Sequence, residues 1–403
     1  MDPIYVGRQP IFDRKLDVFA YELLFRGHNR ASSGPNPGDK ATAEVLVNAV
    51  MDMGLENLVG THPAFINVSA GFLDGRYPLP ISPDHVGLEI LEDVAPSEVV
   101  LETIAELRQR GYTIALDDFV YRPELEPLLE LAHLVKLDVL ALTEGELQKS
   151  IATLRGRPLK LVAEKVETHR ELEMCRDLGF DYFQGYFLTK PQLMQGSATG
   201  TNRALILQLM ARIQAPDAEL QELENLIVQD VALTYRLLRH VNSAAFALRR
   251  EVESVREAIL FLGTNTIRNW ASLILLTRMD HKPSELATTA LIRAKMCERL
   301  AFAQRVQSTH AYFTTGLFSM LDAFMDRPLP ELIATLPLTQ AIKQAVLKFE
   351  GHLGATLQRV MWYENAAWDK LDDGQLDPGA YTRSYMEALR WANTSAHMLQ
   401  GAA

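Results

Sequence analysis

Residues 113–119 read Thr-Ile-Ala-Leu-Asp-Asp-Phe, and they narrow the folds open to this chain more than any other stretch. The apolar run is continuous rather than alternating, the pattern of a parallel strand covered on both faces. Gly111, just before it, marks the end of a helix. The run stops at two adjacent carboxylates, Asp117 and Asp118, which repel each other unless a cation holds them. At the carboxyl end of a parallel strand such a pair points to metal binding. A solvated turn or a helix cap uses the same residue types, so the neighbouring segments have to decide.

Segments 4–11 and 18–25 are apolar and β-leaning, and the Asp13-Arg14-Lys15 between them predicts a hairpin. Residues 41–53 have helical spacing closed by Gly54. Further strands are expected at 64–68, 86–91, 134–138, 160–166 and 182–188. Helices are expected at 96–110 (started by Pro96), 125–132, 144–155 and 169–178. Roughly eight strands alternating with helices predict an α/β fold, a modified (β/α)8 TIM-like barrel with its first strand antiparallel. A doubly wound sheet is the structural competitor, but no Gly-rich nucleotide fingerprint follows an early strand.

Polar residues fall on this map in a telling way. Glu22, Asn67, Glu89, Asp117, Asp118, Lys136, Glu164 and Gln184 lie in or at the ends of successive expected strands. Buried ionised groups are costly unless paired or bound to metal. In a barrel the carboxyl ends of the strands converge on one rim, where active sites are built. Hard oxygen donors with one amide suit Mg²⁺ or Mn²⁺ rather than zinc.

A formal net charge of −11 argues against binding a nucleic acid polymer, though not against a small anion held by local cations. Cys175 and Cys297 are the only cysteines and have no His or Cys partners at ligand spacing, which fits a reducing compartment. The N-terminus lacks the regions of a signal peptide, and the best apolar run, 271–276, is far too short for a membrane span. A cytoplasmic protein with no membrane insertion is expected.

The segment Glu22-Leu23-Leu24-Phe25-Arg26 resembles the Glu-Ala-Leu-x-Arg signature of EAL-domain cyclic-di-GMP phosphodiesterases. The family's other blocks follow in order: Asn67-Val68-Ser69, Leu88-Glu89-Ile90, Asp117-Asp118-Phe119, Lys136-Leu137-Asp138, Ala163-Glu164-Lys165-Val166-Glu167, and Gln184-Gly185-Tyr186-Phe187 with Lys190-Pro191. The resemblance spans nearly all of 4–191. It implies that Glu22, Asn67, Glu89 and Asp117 hold one metal, while Asp117 and Asp118 serve a second. Lys136 would orient the attacking water, and Glu164 would act as general base or support the metal. Glu167 and Gln184 match supporting and water-contacting positions, and Leu24 and Arg26 would touch a guanine and a phosphate of the dinucleotide. Two such ions, about 3.5–4 Å apart, activate water and stabilise the leaving oxygen.

One block departs from the family. The Gly-rich, Ser-containing loop after Asp-Asp-Phe, which helps seat the second metal and couples to dimerisation, is replaced by Val120-Tyr121-Arg122-Pro123-Glu124. Glu92 still matches the glutamate that anchors that loop. A homodimer through this region is the family habit, and the changed loop weakens its carry-over here.

Residues 195–203 are small and polar and read as a linker between a domain at 1–194 and a helical one at 204–403. Helical spacing recurs at 205–213, 220–229, 232–241, 254–262, 266–276, 286–302, 311–324, 339–349, 355–362 and 381–398, the pattern of an all-α bundle. Residues 241–246 and 255–263 resemble the HDOD domain, a helical relative of HD-type metal phosphohydrolases. In HD enzymes a His-Asp dyad follows a Gly-Leu-Leu-like turn; here Ser319 and Met320 follow Gly316-Leu317-Phe318. His240, His281 and His310 are isolated, and Trp362, Trp368 and Trp391 read as core or capping aromatics. No catalysis is expected from this half, which is read as a module for an unidentified protein partner. The whole chain is therefore expected to hydrolyse cyclic di-GMP to linear diguanylate with one or two Mg²⁺ or Mn²⁺ ions. The alternative is an inactive cyclic-di-GMP sensor that signals through its HDOD domain.

Overall fold

The computed structural model describes residues 4–27, 54–74, 82–189, 210–215, 219–228, 237, 241, 252, 254–276, 283–307, 309–336, 338–371 and 375–400. The expected helix at 41–53, the linker at 195–203 and the HDOD-like block at 242–246 lie outside them. The chain forms two compact units: Met1–Lys190 with Tyr363–Thr382, and Pro191–Trp362 with Arg383–Ala403.

The first unit is a closed barrel in the order β1-β2-β3-β4-β5-β6-β7-β8. The strands are β1 Ile4–Phe12, β2 Val18–Gly27, β3 Ala64–Val68, β4 Val86–Ile90, β5 Thr113–Leu116, β6 Leu134–Asp138, β7 Lys160–Glu164 and β8 Tyr182–Gln184. β1 is antiparallel to both β2 and β8, and every other pair is parallel, as the sequence predicts. The β1–β2 hairpin closes because the Asp13 carboxylate accepts the backbone N–H groups of Lys15 and Asp17.

Side chains alternate across a strand, so residues two apart share the barrel interior. Ile11, Ala20, Phe65, Ala115, Leu134 and Val162 form one buried apolar cluster. Moving two residues along each of those strands reaches Gln9, Glu22, Asn67, Asp117, Lys136 and Glu164. The interior is thus an apolar floor with a polar layer directly above it. Gly87 occupies the floor position of β4, two residues before Glu89, and leaves room for a neighbour: a Cβ there would lie 2.4 Å from the Phe65 ring. Gly87→Ala is expected to overpack the floor and cost about 1–3 kcal/mol in denaturant unfolding.

The connecting helices start and stop where their caps allow. The helix expected from Pro96 begins instead at Glu98, because Ser97 accepts the N–H of Val100 as N-cap. Thr143 with Glu146 and Thr168 with Glu171 form capping boxes that start the helices Glu144–Leu154 and His169–Leu178.

The helical region expected over 204–403 does not run unbroken, since Tyr363–Thr382 belongs with the barrel. β8 reaches β1 only at Ile11 and Phe12, which leaves the Val6 end of that strand without a strand neighbour on that side. The Tyr363 hydroxyl stands in for the missing neighbour. It donates to the Val6 carbonyl at 2.7 Å and accepts the Val6 N–H at 3.2 Å. Trp368 stacks on Tyr5 with ring centroids 5.8 Å apart and donates its indole N–H to the Tyr363 carbonyl. Tyr363→Phe strands two buried backbone groups, and a loss of about 2 kcal/mol with faster amide exchange in β1 is expected.

The second unit is helical where described, with the helices Leu220–Val228, Val255–Leu262, Thr264–Leu276, Ser284–Ala303, His310–Phe318, Leu321–Met325, Leu329–Thr335 and Gln340–Lys348. The single helix expected over 311–324 is broken. Ser319 turns its hydroxyl onto the Gly316 carbonyl at 2.8 Å, and the chain restarts at Leu321. Gly316 lets the helices His310–Phe318 and Ser284–Ala303 touch: a Cβ there would lie 2.7 Å from the Ala294 Cα. His310 is buried, with Nε2 3.1 Å from the Gln214 carbonyl, and burial holds its pKa below the usual histidine value.

Candidate active site

The polar layer is organised around Lys136. Its ammonium lies 3.1 Å from Glu22 Oε2, 2.9 Å from Glu89 Oε2, 2.8 Å from Asp117 Oδ1 and 2.8 Å from Glu164 Oε1. The lysine side chain is 1% exposed. Five strands, β2, β4, β5, β6 and β7, bring these groups to the carboxyl rim. Asn67 Nδ2 donates to Glu22 Oε1 at 3.2 Å, and Gln184 Nε2 donates to Glu22 Oε2 at 2.6 Å and to Gln9 Oε1 at 3.1 Å.

One ammonium does not neutralise four carboxylates. Burial works against the charge on Lys136, but Glu22, Glu89, Glu164 and Asp117 outweigh it and hold its pKa well above the usual lysine value. Burial likewise opposes ionisation of Glu22, yet Lys136 and the bonds from Gln184 and Asn67 hold that carboxyl below its usual value. The others are left short of positive charge. Burial and the Glu22 charge push Glu89 well above the carboxylate range, and burial raises Asp117. Burial, with the Asp117 and Glu22 charges, lifts Glu164 to about 7.

Among the described residues of this layer, the buried oxygens Glu89 Oε1, Glu164 Oε2 and Gln184 Oε1 have no hydrogen-bond partner. Buried acceptors of this kind are uncommon unless an ion or water completes them. Among the described residues no three His, Cys, Asp or Glu side chains form a ready-made metal cage, because the carboxylates close on the ammonium instead. The donor set nevertheless fits a hard divalent cation: oxygens throughout, carboxylates with one amide, and carrying unfilled lone pairs.

A second ion-pair group sits higher on the rim, at the ends of β5, β6 and β7. Lys165 Nζ donates to Asp118 Oδ1 at 3.1 Å and to Asp138 Oδ2 at 2.5 Å. Asp138 Oδ1 also accepts the N–H groups of Leu140 and Ala141. Asp118 and Lys165 both have left-handed backbone, φ 40° and 58°, which non-glycine residues rarely adopt.

The remaining expected residues are more scattered. Leu24 is half-buried in β2 opposite Gly7, and Arg26 pairs with Tyr5 in the same ladder, its side chain outside the described residues. Glu92 is exposed, and its carbonyl lies 3.5 Å from an Arg122 guanidinium nitrogen. The backbone N–H of Glu167 donates to Glu171. The changed loop leaves Val120 61% exposed and lines a cavity of about 320 Å³ with Ile90, Leu116, Asp117 and Phe119. Sequence reasoning missed Gln9 and Lys165. Gln9 was legible as a polar side chain, next to Arg8, in an otherwise largely apolar strand, whereas nothing in the sequence marks the left-handed turn at Lys165.

Two family models match the chain, the EAL domain over residues 77–191 and the HDOD domain over 201–347. The EAL match begins after β3, and the structure supplies the three earlier strands that close the barrel. Over 404 residues the chain is 34% identical to the cyclic di-GMP phosphodiesterase CdgJ of Vibrio cholerae, covering 96% of this chain and 92% of that protein. It is 32% identical over 401 residues to YuxH of Bacillus subtilis, covering 97% and 98%. Among solved structures, the FimX EAL domain from Pseudomonas aeruginosa bound to c-di-GMP is 21% identical and covers 46% of this chain and 89% of that one, with a TM-score of 0.37. With both domain matches in this order and near-full-length relatives at these identities, the chain belongs to the family of proteins that join an EAL domain to an HDOD domain.

Proposed function

We propose that the chain hydrolyses cyclic di-GMP to linear diguanylate at the carboxylate layer, with Mg²⁺ or Mn²⁺. The observation that carries this reading is the buried excess of carboxylate over ammonium, with unpaired oxygens on Glu89 and Glu164. The relationship to CdgJ, a protein named for this activity, supports the substrate.

Glu22, Asn67, Glu89 and Asp117 would hold one ion, and Asp117 and Asp118 a second. When bound, the metal supplies a water acidic enough to attack phosphorus and positive charge against the leaving oxygen. Glu164, with a free Oε2 and a pKa near that of a working base, takes the proton of the attacking water. Lys136 donates from Nζ to orient that water and the phosphate. Gln184 fixes Glu22, and Leu24 and Arg26 receive the guanine and a phosphate. The HDOD half is read as a regulatory module that binds a protein partner; Ser319 and Met320 stand where its catalytic relatives carry a dyad.

The test is chromatography of the products after incubation with cyclic di-GMP and either metal. Linear diguanylate is expected, and bound but unchanged nucleotide would overturn the reading. A second reading, a sensor that binds without turnover, is favoured by the loop at 120–124 and by the Lys165 ammonium on Asp118. It requires binding that survives chelation of divalent metal.

The raised carboxyl groups also set a pH dependence. A proton on Glu89 or Glu164 competes with the metal, so affinity falls as pH drops below about 7. Calorimetric Mn²⁺ affinity is expected to rise by about tenfold or more from pH 6 to pH 8. A flat profile would show that neither the Glu89 ligand nor the Glu164 charge beside it bears on the metal.

A further inference from the structure

Resting on the metal reading above, we infer that Lys165 is a resident cation that keeps a second divalent ion off Asp118. The resting site then takes one ion readily, and Asp118 becomes a ligand only after the ammonium leaves it.

Three features of the rim carry this. Lys165 Nζ bridges Asp118 and Asp138 at 3.1 and 2.5 Å, so a positive charge already lies against the carboxylate a second metal needs. Asp138 is a fixed anchor, because two backbone N–H groups hold its other oxygen at 2.8 and 3.0 Å. The left-handed backbone of Asp118 and Lys165 brings two facing strand ends to the same bridge, and such geometry persists only where its surroundings hold it.

The two lysines of the site differ in kind. Lys136 is sealed in the barrel at 1% exposure, with no water to take its charge, and belongs to the deeper site. The Lys165 side chain is 50% exposed and Asp118 is 40% exposed. Water and salt screen such a pair, so it opens at modest cost. It acts as a latch rather than a block. A dication arriving at Asp118 meets an ammonium a few ångströms away, and like-charge repulsion at that range weakens it by about tenfold or more.

The test counts Mn²⁺ bound to the full chain by calorimetry and by the loss of free-ion signal in electron paramagnetic resonance. Wild type is expected to bind one ion tightly and a second at least about tenfold more weakly. Lys165→Gln removes the charge at an exposed position and should tighten the second ion about tenfold, while Lys165→Arg should behave as wild type. Adding Asp118→Asn to Lys165→Gln should abolish the second event and leave the first. Identical isotherms for wild type and Lys165→Gln would overturn the inference and leave the metal reading standing. No Mn²⁺ bound by either would overturn both.

Discussion

Lys136→Met is expected to remove about 3–5 kcal/mol of stability from the metal-free protein at pH 8, the cost of leaving buried charge without its partner. The lysine is the only cation among the described residues within 3.1 Å of Glu22, Glu89, Asp117 and Glu164. Without it, four carboxylates face one another in a space closed by an apolar floor. The loss should shrink at pH 6, because the cluster can take up protons. Glu89 and Glu164 have folded pKa values above their unfolded ones. Their contribution to stability is present below the unfolded value and is lost as pH rises through the folded one, with Glu164 crossing near 7. Losing the ammonium moves that crossing higher, so the variant falls away from wild type as pH climbs. Added Mn²⁺ should recover much of the deficit by replacing one cation with another. Denaturant unfolding in chelator at pH 6 and pH 8, then with Mn²⁺, checks all three points. Equal stability of variant and wild type at pH 8 would mean that the carboxylates are protonated or solvated.

Much of this was legible because strands announce both faces. Ile114, Ala115 and Leu116 form a continuous run since β5 is covered inside and out, and the two-residue offset between floor and polar layer follows from strand geometry. Ala20 and Glu22, Phe65 and Asn67, Leu134 and Lys136, and Val162 and Glu164 all show it. The sequence could not say that Lys136 would close the cluster, because that depends on strand stagger. The same strand geometry explains why Tyr363–Thr382 groups with the first unit. The aromatic residues Tyr363, Trp368 and Tyr381 are as plausible in a helical bundle as against a barrel. What draws them back is the Val6 end of β1, left uncovered because β8 is three residues long. No local pattern encodes that vacancy. Lys165 escaped notice for a different reason. A lysine after a strand glutamate is ordinary, and its value lies in a backbone φ of 58° and a partner at Asp118 on another strand.

The free oxygen and raised pKa of Glu164 make it the group proposed to accept the proton. Glu164→Gln keeps size and a carbonyl acceptor but removes basicity, and positioned bases contribute about 10²–10⁴-fold to such reactions. The substitution also takes one negative charge from a crowded cluster, so folding should be unharmed or improved while turnover is lost. Wild type and Glu164→Gln, incubated side by side with cyclic di-GMP and saturating Mn²⁺ at pH 8, give the decisive comparison. Linear diguanylate from wild type, and a rate lower by about a hundredfold or more from the variant with nucleotide binding retained, is the predicted result. Equal rates from the two proteins, or no product from wild type that binds the nucleotide, would contradict the account.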